Sequence, residues 1–424
     1  MKKIVFICLC GLMMLNACMV AVPTEEVNVE MQTGKANYNS DPQYTPDEAL
    51  ELASAINKFA LDLYDEIGNE QENKLYSPFS LYQALLMLYA GAREQTAEQF
   101  EKVMYLPWTD ESLHRVSNAL NIAFSSKDIS QEDEHAFILQ IANAIWLQQN
   151  AHIEQAYLDL LSANYAAGLR SLDFSQSQQA ADLINQWAEE QTMGKIKDIA
   201  KPAMFNSNTR LALTNAVYFK GAWLYPFQEA ATYAEDFTNL NGDVSQVDMM
   251  HSTESFWALK NEDVQIVELP YYESSIVMDL IAPSDGDWQT FLQGLTLEKL
   301  NDNLDDLSEA RVELSLPKFK IETPEMELIA PMKKLGLLDV FGMDADLSGI
   351  SGDKSLFIST LVQKAFIDVN EAGTEAAAVT LAVVQEKAME SPETLKISFD
   401  KPFMFLLRDT RTGAVLFAGH LVQP

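Results

Sequence analysis

The sequence predicts an α+β fold, and three observations carry that expectation. Its first part is rich in apolar residues at helical spacing. Its later half turns to β-branched or alternating runs closed by Gly or Pro. The two kinds of segment do not alternate as they would in a parallel βαβ chain. With 424 residues, 48% of them hydrophobic, the chain can bury a large core. From about residue 46 onward no Pro/Gly/Ser-rich linker or repeat interrupts it, so residues 46–424 read as one domain.

The leader comes first. Lys2-Lys3 precede an apolar run from Ile4 to Leu15, which ends at Asn16-Ala17-Cys18. A basic start, a short apolar core and a small residue before the cut describe an export signal. The run is shorter than the ~20 residues that span a bilayer. Its "LNAC" ending resembles the lipobox of bacterial lipoproteins, in which the Cys is lipidated and becomes the new N-terminus. Residues 1–18 are therefore expected to be a lipoprotein signal peptide with Cys18 as the lipidation site. The implied location is the cell envelope, at the outer membrane or cell surface, or else outside the cell. The lipid would be the only membrane contact. Cys8, Cys10 and Cys18 all lie in this leader, so the mature chain has no disulfide. Residues 19–45 are polar and aperiodic and read as a flexible tether.

Helices are expected next. "TPDEALELASAINKFALDLYDEI" (45–67) opens on Thr-Pro-Asp, a strong N-terminal signal. "SPFSLYQALLMLYAGA" (77–92) has a Ser cap and Pro before a run apolar on all sides, which marks a buried helix. "QQAADLINQWAEEQTMGKI" (178–196) is amphipathic and ends near Gly194. Strands are expected at 209–221, 264–272, 274–283, 310–322, 356–370, 401–409 and 413–422, the last two forming a hairpin about "DTRTG".

Charge and motifs exclude several functions. A net charge of −33 repels phosphate backbones and sulfated chains, so neither nucleic acid nor a heparin-like polyanion is an expected partner. "SQEDEH" (130–135) reads as solvated surface. The chain contains no GxSxG, HExxH, GxxxxGK[ST] or GxGxxG. Its histidines (114, 135, 152, 251 and 420) lack ligand spacing. No enzyme activity, cofactor or metal is expected. "DADLSGISGDKS" (344–355) starts like a calcium loop, but Ser355 stands where a bidentate Glu is needed, so an ordinary turn is the better reading.

One run fits neither a loop nor a fixed strand. In "DVNEAGTEAAAVTLAVV" (368–384), a Glu-Ala-Gly-Thr-Glu cluster leads into nine residues that are all Ala, Val, Thr or Leu. At this point the chain resembles the serpins, over roughly residues 50–424. The resemblance rests on "NKLYSPFSLYQALLMLYAGA", "LTNAVYFKGAWLYPF" (213–227), "VELPYYESSIVMDLIAPSD" and "VELSLPKFKIETP". It continues in "MKKLGLLDVF" (332–341) followed by "ADLSGIS", in "VNEAGTEAAAVT" (369–380), and in "KPFMFLLRDTRTGAVLFAGHLVQP" (401–424).

That resemblance implies a serpin fold of three β-sheets and eight to nine helices with an exposed reactive-centre loop from 371 to about 400. It also implies a suicide-substrate inhibitor of secreted serine proteases, with cysteine proteases also in scope. Loop insertion of this kind is a standard example of strand addition and stored strain. The implied hinge is Glu371, Gly373, Thr374, Glu375, Ala376, Ala377 and Ala378. Along a strand, Thr374, Ala376, Ala378, Thr380, Ala382 and Val384 share one small, uncharged face. Family spacing places the reactive bond at Lys387–Ala388, which suits a trypsin-like protease. Val384, Ala388 and Met389 are alternative positions for elastase- or chymotrypsin-like proteases. The sheet-opening region maps onto Ser77, Ser80, Asn215, Trp223 and Gln363, the last standing where the family often has His. The expected assembly is a monomer that meets its target protease. A non-inhibitory serpin acting as a binding or structural protein is the competing reading.

Overall fold

The computed structural model describes residues 29–68, 70–125, 137–272, 274–285, 287–374 and 394–424. Its first long helix, Pro46–Glu66, starts with the chemistry its sequence announces. The Thr45 hydroxyl accepts from Glu48 N at 3.2 Å, and the Glu48 carboxylate accepts from Thr45 N at 2.8 Å, closing a capping box. Ser77 caps Pro78–Tyr89, and every residue of that helix is buried. A helix apolar on all sides belongs inside a core, and this one lies between two sheets. Helix Ser177–Gln191 is amphipathic. It lays Ile184, Trp187 and Ala188 on the outer face of the first sheet.

In spatial order, the first sheet runs Glu30–Gln32, Leu169–Leu172, Ile138–Gln148, Leu211–Ala222, Gly373–Thr374, Ile358–Asn370 and Phe319–Glu322. Met326–Glu327 also pairs with Ile358–Asn370. The second sheet runs Leu395–Ser398, Ser308–Pro317, Val244–Lys260, Val264–Pro270, Ile276–Pro283, Phe403–Asp409, Val415–Leu421 and Lys74–Tyr76. Thr232–Thr238 pairs with Val244–Lys260. The fold class is thus α+β, with the expected C-terminal hairpin in place.

Two counts differ from those implied by the resemblance. Hydrogen bonding gives two large sheets among the described residues rather than three, because Val244–Lys260 is 17 residues long. Its first part pairs with Thr232–Thr238 and its end with Val264–Pro270, so one strand belongs to what would be two sheets. Among the described residues there are ten α-helices rather than eight or nine, and the surplus is short, as in Ser348–Ser351. That short helix occupies the 344–355 segment, where Asp346 pairs with Lys354 at 2.7 Å.

The tether expected over residues 19–45 needs correction from Glu30 onward. Glu30–Gln32 adds an antiparallel edge strand to Leu169–Leu172. Lys35 N donates to Asp159 Oδ1 at 2.6 Å, Asn39 N to Ala163 O at 2.9 Å, and Tyr38 Oη to Asn118 Oδ1 at 2.8 Å. Gly34 is required, since a Cβ there would collide with the Leu158 carbonyl. Edge pairing satisfies the backbone without an apolar period, so composition carries no sign of it.

The last strand is locked to the first helix through a buried histidine. His420 Nε2 donates to Glu72 O at 2.8 Å, which leaves Nδ1 to accept from the Tyr64 hydroxyl. Lys74 Nζ donates to Tyr64 O at 2.7 Å and sits 4.2 Å from the Tyr64 ring centre. Burial, helped by the Lys74 charge, pushes the His420 imidazole down to about 4, and burial alone does the same to His114. Both are lowered in the folded state, so the unfolded chain binds more protons between pH ~6.5 and 4. Stability should therefore fall as pH drops through that window, by up to about 3 kcal/mol per histidine. Denaturant unfolding from pH 7 to 4 tests this, and a His114→Gln/His420→Gln chain with an unchanged pH slope would contradict it.

Candidate functional site

The site lies at the centre of the first sheet. Leu211–Ala222 and Ile358–Asn370 are buried along nearly their whole length, with core on both faces. They pair with each other in parallel, from Ile358 opposite Leu211 up to Phe366 opposite Tyr218. Above Phe366 a new strand comes between them. The chain turns at Glu371-Ala372, and Gly373–Thr374 comes back antiparallel to both neighbours. Gly373 lies opposite Ala222 and Asn370, and Thr374 opposite Gly221 and Val369.

The described residues of that turn, from Asn370 to Thr374, are held by specific contacts. Trp223 donates its backbone N–H to Ala372 O and its indole Nε1 to Asn370 O, both at 3.0 Å. Phe227 N donates to Glu371 O at 2.8 Å. The Tyr271 ring stacks on Trp223 with centroids 4.5 Å apart. Its hydroxyl hydrogen-bonds the fully buried Thr374 Oγ1 at 2.7 Å. Gly373 has φ +153°, and a Cβ there would overlap Gly221 O and lie 2.7 Å from Ala222 Cα. Only glycine lets the strand enter this close. The Glu371 carboxylate is 2.9 Å from Lys318 Nζ. Burial pushes its pKa up, but the Lys318 hydrogen bond and other donors outweigh burial and leave the carboxyl below its ordinary range.

Lower down, a polar network crosses the seam under the sheet. Gln363 and Asn215 are register partners. Gln363 Oε1 accepts from Ser77 N at 2.9 Å, while its Nε2 donates to Ser77 O at 3.0 Å and to Asn215 Oδ1. Asn215 Nδ2 donates to Ser80 Oγ and Asn143 Oδ1, and Asn143 Nδ2 donates to Ser80 O at 3.2 Å. Ser77 Oγ reaches Leu416 O in the second sheet at 2.6 Å. None of these side chains ionises, so the network itself has no pH response of the kind a histidine at 363 would confer.

The structure thus brings Ser77, Ser80, Asn215 and Gln363 together, and separately gathers Trp223, Glu371, Gly373 and Thr374. Glu375, Ala376, Ala377, Ala378, Val384, Lys387, Ala388 and Met389 lie outside the described residues, as does Cys18. Sequence reasoning missed Asn143, Tyr271 and Lys318. Asn143 carried a usable signal, a carboxamide inside the apolar run "IANAIW". Tyr271 and Lys318 carried none, because their partners are more than 50 residues away in sequence.

The central seam of the first sheet thus holds Gly373–Thr374 between two buried strands. Residues 54–424 match the family model described as Serpin (serine protease inhibitor). The chain belongs to the serpin family, whose members include many protease inhibitors, and it is not an enzyme. The leukocyte elastase inhibitor of Sus scrofa is 37% identical over 386 residues, covering 88% of this chain and 100% of that protein. An uncharacterized serpin-like protein of Thermococcus kodakarensis is 36% identical over 375 residues, covering 88% and 86%. Among solved structures, the thermophilic serpin Tengpin in its native state gives a TM-score of 0.82 at 26% identity, covering 93% of this chain and 100% of that one. Serpin48 of the insect Tenebrio molitor gives 0.77 at 31% identity, covering 88% and 98%.

Replacing Gln363 by Leu would leave Ser77 N and Asn215 Oδ1 without their partner, while Ser77 O would keep Leu81 N. With ~1–3 kcal/mol at stake per buried unsatisfied group, the variant should unfold at least about 2 kcal/mol more easily in a denaturant titration. Unchanged stability would remove this network from the forces that hold the seam.

Proposed function

We propose that this chain inhibits secreted serine proteases by presenting residues after Thr374 as bait and inserting them into its own sheet once they are cut. The observation that carries this reading is the entry of Gly373–Thr374 between Leu211–Ala222 and Ile358–Asn370. Continuing that register, each step along the loop matches one step back from Gly221. Thr380 then comes opposite Asn215 and Gln363, and Val384 opposite Leu211, the start of the strand. In that register Ala376, Ala378, Thr380, Ala382 and Val384 share the face of Phe219, Val217, Asn215, Leu213 and Leu211, which belongs to the main core. Small side chains are what such a face can accept. Ten residues at ~3.3 Å each carry the cut end about 33 Å down the sheet.

The protease serine would attack the Lys387 carbonyl, expel the Ala388 amine and hold Lys387 as an ester. Lys387 follows Val384 closely, so full insertion would drag the acylated protease along the sheet before water releases it. Lys387 favours a trypsin-like partner. Val384, Ala388 and Met389 would serve an elastase-like one, and the kinship with leukocyte elastase inhibitors supports a protease partner of some kind. Incubation with trypsin and with elastase should give an SDS-stable complex and a cleaved form of raised melting temperature, and mass spectrometry should locate the cut. Thr374→Arg, which forces a cation into a fully buried position, should convert inhibitor into substrate. Cleavage of the wild type without complex or added stability would favour the binding-protein reading instead.

The same proposal places the protein, as a monomer, at the cell envelope through a lipid on Cys18. Radiolabelled palmitate should enter the wild-type chain in a bacterial host and not Cys18→Ala; equal labelling of the two would refute the anchor.

A further inference from the structure

Cations are scarce here, with 29 Lys and Arg against 62 Asp and Glu, and Arg170 sets one of them against a cavity. Among the described residues its guanidinium has no ion pair, and its close contacts are the rings of Trp146 and Trp187, at 5.6 and 5.9 Å. It lies on Leu169–Leu172, in register between Met31 of the docked N-terminal segment and Trp146. It is half-buried, and burial disfavours its charge more than the nearby Glu190 carboxylate favours it.

Arg170 lines a cavity of about 190 Å³. Leu169–Leu172 pairs with Ile138–Gln148 only from Ile145 onward, and the cavity sits beside the earlier residues Ile141, Ala142 and Asn143. Its polar wall is neutral apart from Arg170: the carboxamides of Gln83, Asn121, Asn143 and Gln191 face it, and no Asp or Glu does. Met31 and Met87 supply apolar surface. A guanidinium already held by two indole rings keeps its planar fork of donors for a carboxylate. Neutral carboxamides add hydrogen bonds without repelling an anion, and adaptable methionines accept an apolar body. The volume is below the roughly 300–1,000 Å³ of pockets for drug-sized ligands.

We propose that this cavity binds a small organic carboxylate, its carboxylate paired to Arg170 and its compact apolar body against Met31 and Met87. Calorimetric titration of the full mature chain with benzoate, benzamide and inorganic phosphate tests this. Benzoate should bind saturably at one site, at least tenfold more tightly than benzamide or phosphate. Arg170→Gln should weaken benzoate at least tenfold, whereas Arg170→Lys should retain part of the affinity. Circular dichroism and thermal unfolding check that both variants fold. If Arg170→Gln does not fold, the benzoate–benzamide difference in the wild type and the Arg170→Lys titration decide. Absence of saturable benzoate binding, equal binding of benzamide, or full affinity in Arg170→Gln would overturn the proposal. Phosphate binding as tightly as benzoate would overturn its apolar half.

Discussion

The parallel seam between Leu211–Ala222 and Ile358–Asn370 is the constraint on which the rest of the molecule depends. Both strands are buried on two faces, yet they meet in the weaker of the two ladder geometries, parallel rather than antiparallel. A strand continuing from Thr374 would run antiparallel to each. One parallel ladder would be exchanged for two antiparallel ones, and each added hydrogen bond contributes about 0.5–1.5 kcal/mol net. On the proposed mechanism the native sheet is a closed arrangement with a better one beyond it. What separates the two is the free energy needed to part the seam.

The groups around the seam suit that task. Serine, asparagine and glutamine side chains span it from below, satisfied in the closed sheet and able to change partners because each can both donate and accept. An inserted Thr380 would bring a hydroxyl to the place where Gln363 and Asn215 now meet. At the top, the Gly373–Gly221 approach, the Tyr271–Thr374 hydrogen bond and the Lys318–Glu371 pair would fix where the proposed insertion starts. Starting point and path are thus set by different residues.

Much of this was legible before any coordinates. The Thr45 and Ser77 caps, the all-round apolar helix and the hairpin about "DTRTG" are local patterns, and each formed where its pattern lay. Gly373 stood out because a glycine between two glutamates is gratuitous in a fixed strand. The small alternate face from Thr374 was visible because strand side chains repeat every two residues. Less was legible where a partner is distant and leaves no period. The docked Glu30–Gln32 segment looked like tether because main-chain pairing places no demand on side-chain type. Lys318 has the composition of any surface lysine.

The amino-acid order alone determined the segments and the family resemblance, and it marked the residues proposed to enter the sheet, because these depend on short-range spacing and residue size. Only the tertiary structure decided which two strands form the seam, that Thr374 is already buried within it, and that one long strand joins two expected sheets. It also decided that Arg170 meets the rings of Trp146 and Trp187 beside a cavity. Register, burial and ring contacts arise between residues far apart in the chain, and they exist only once folding has brought those residues together.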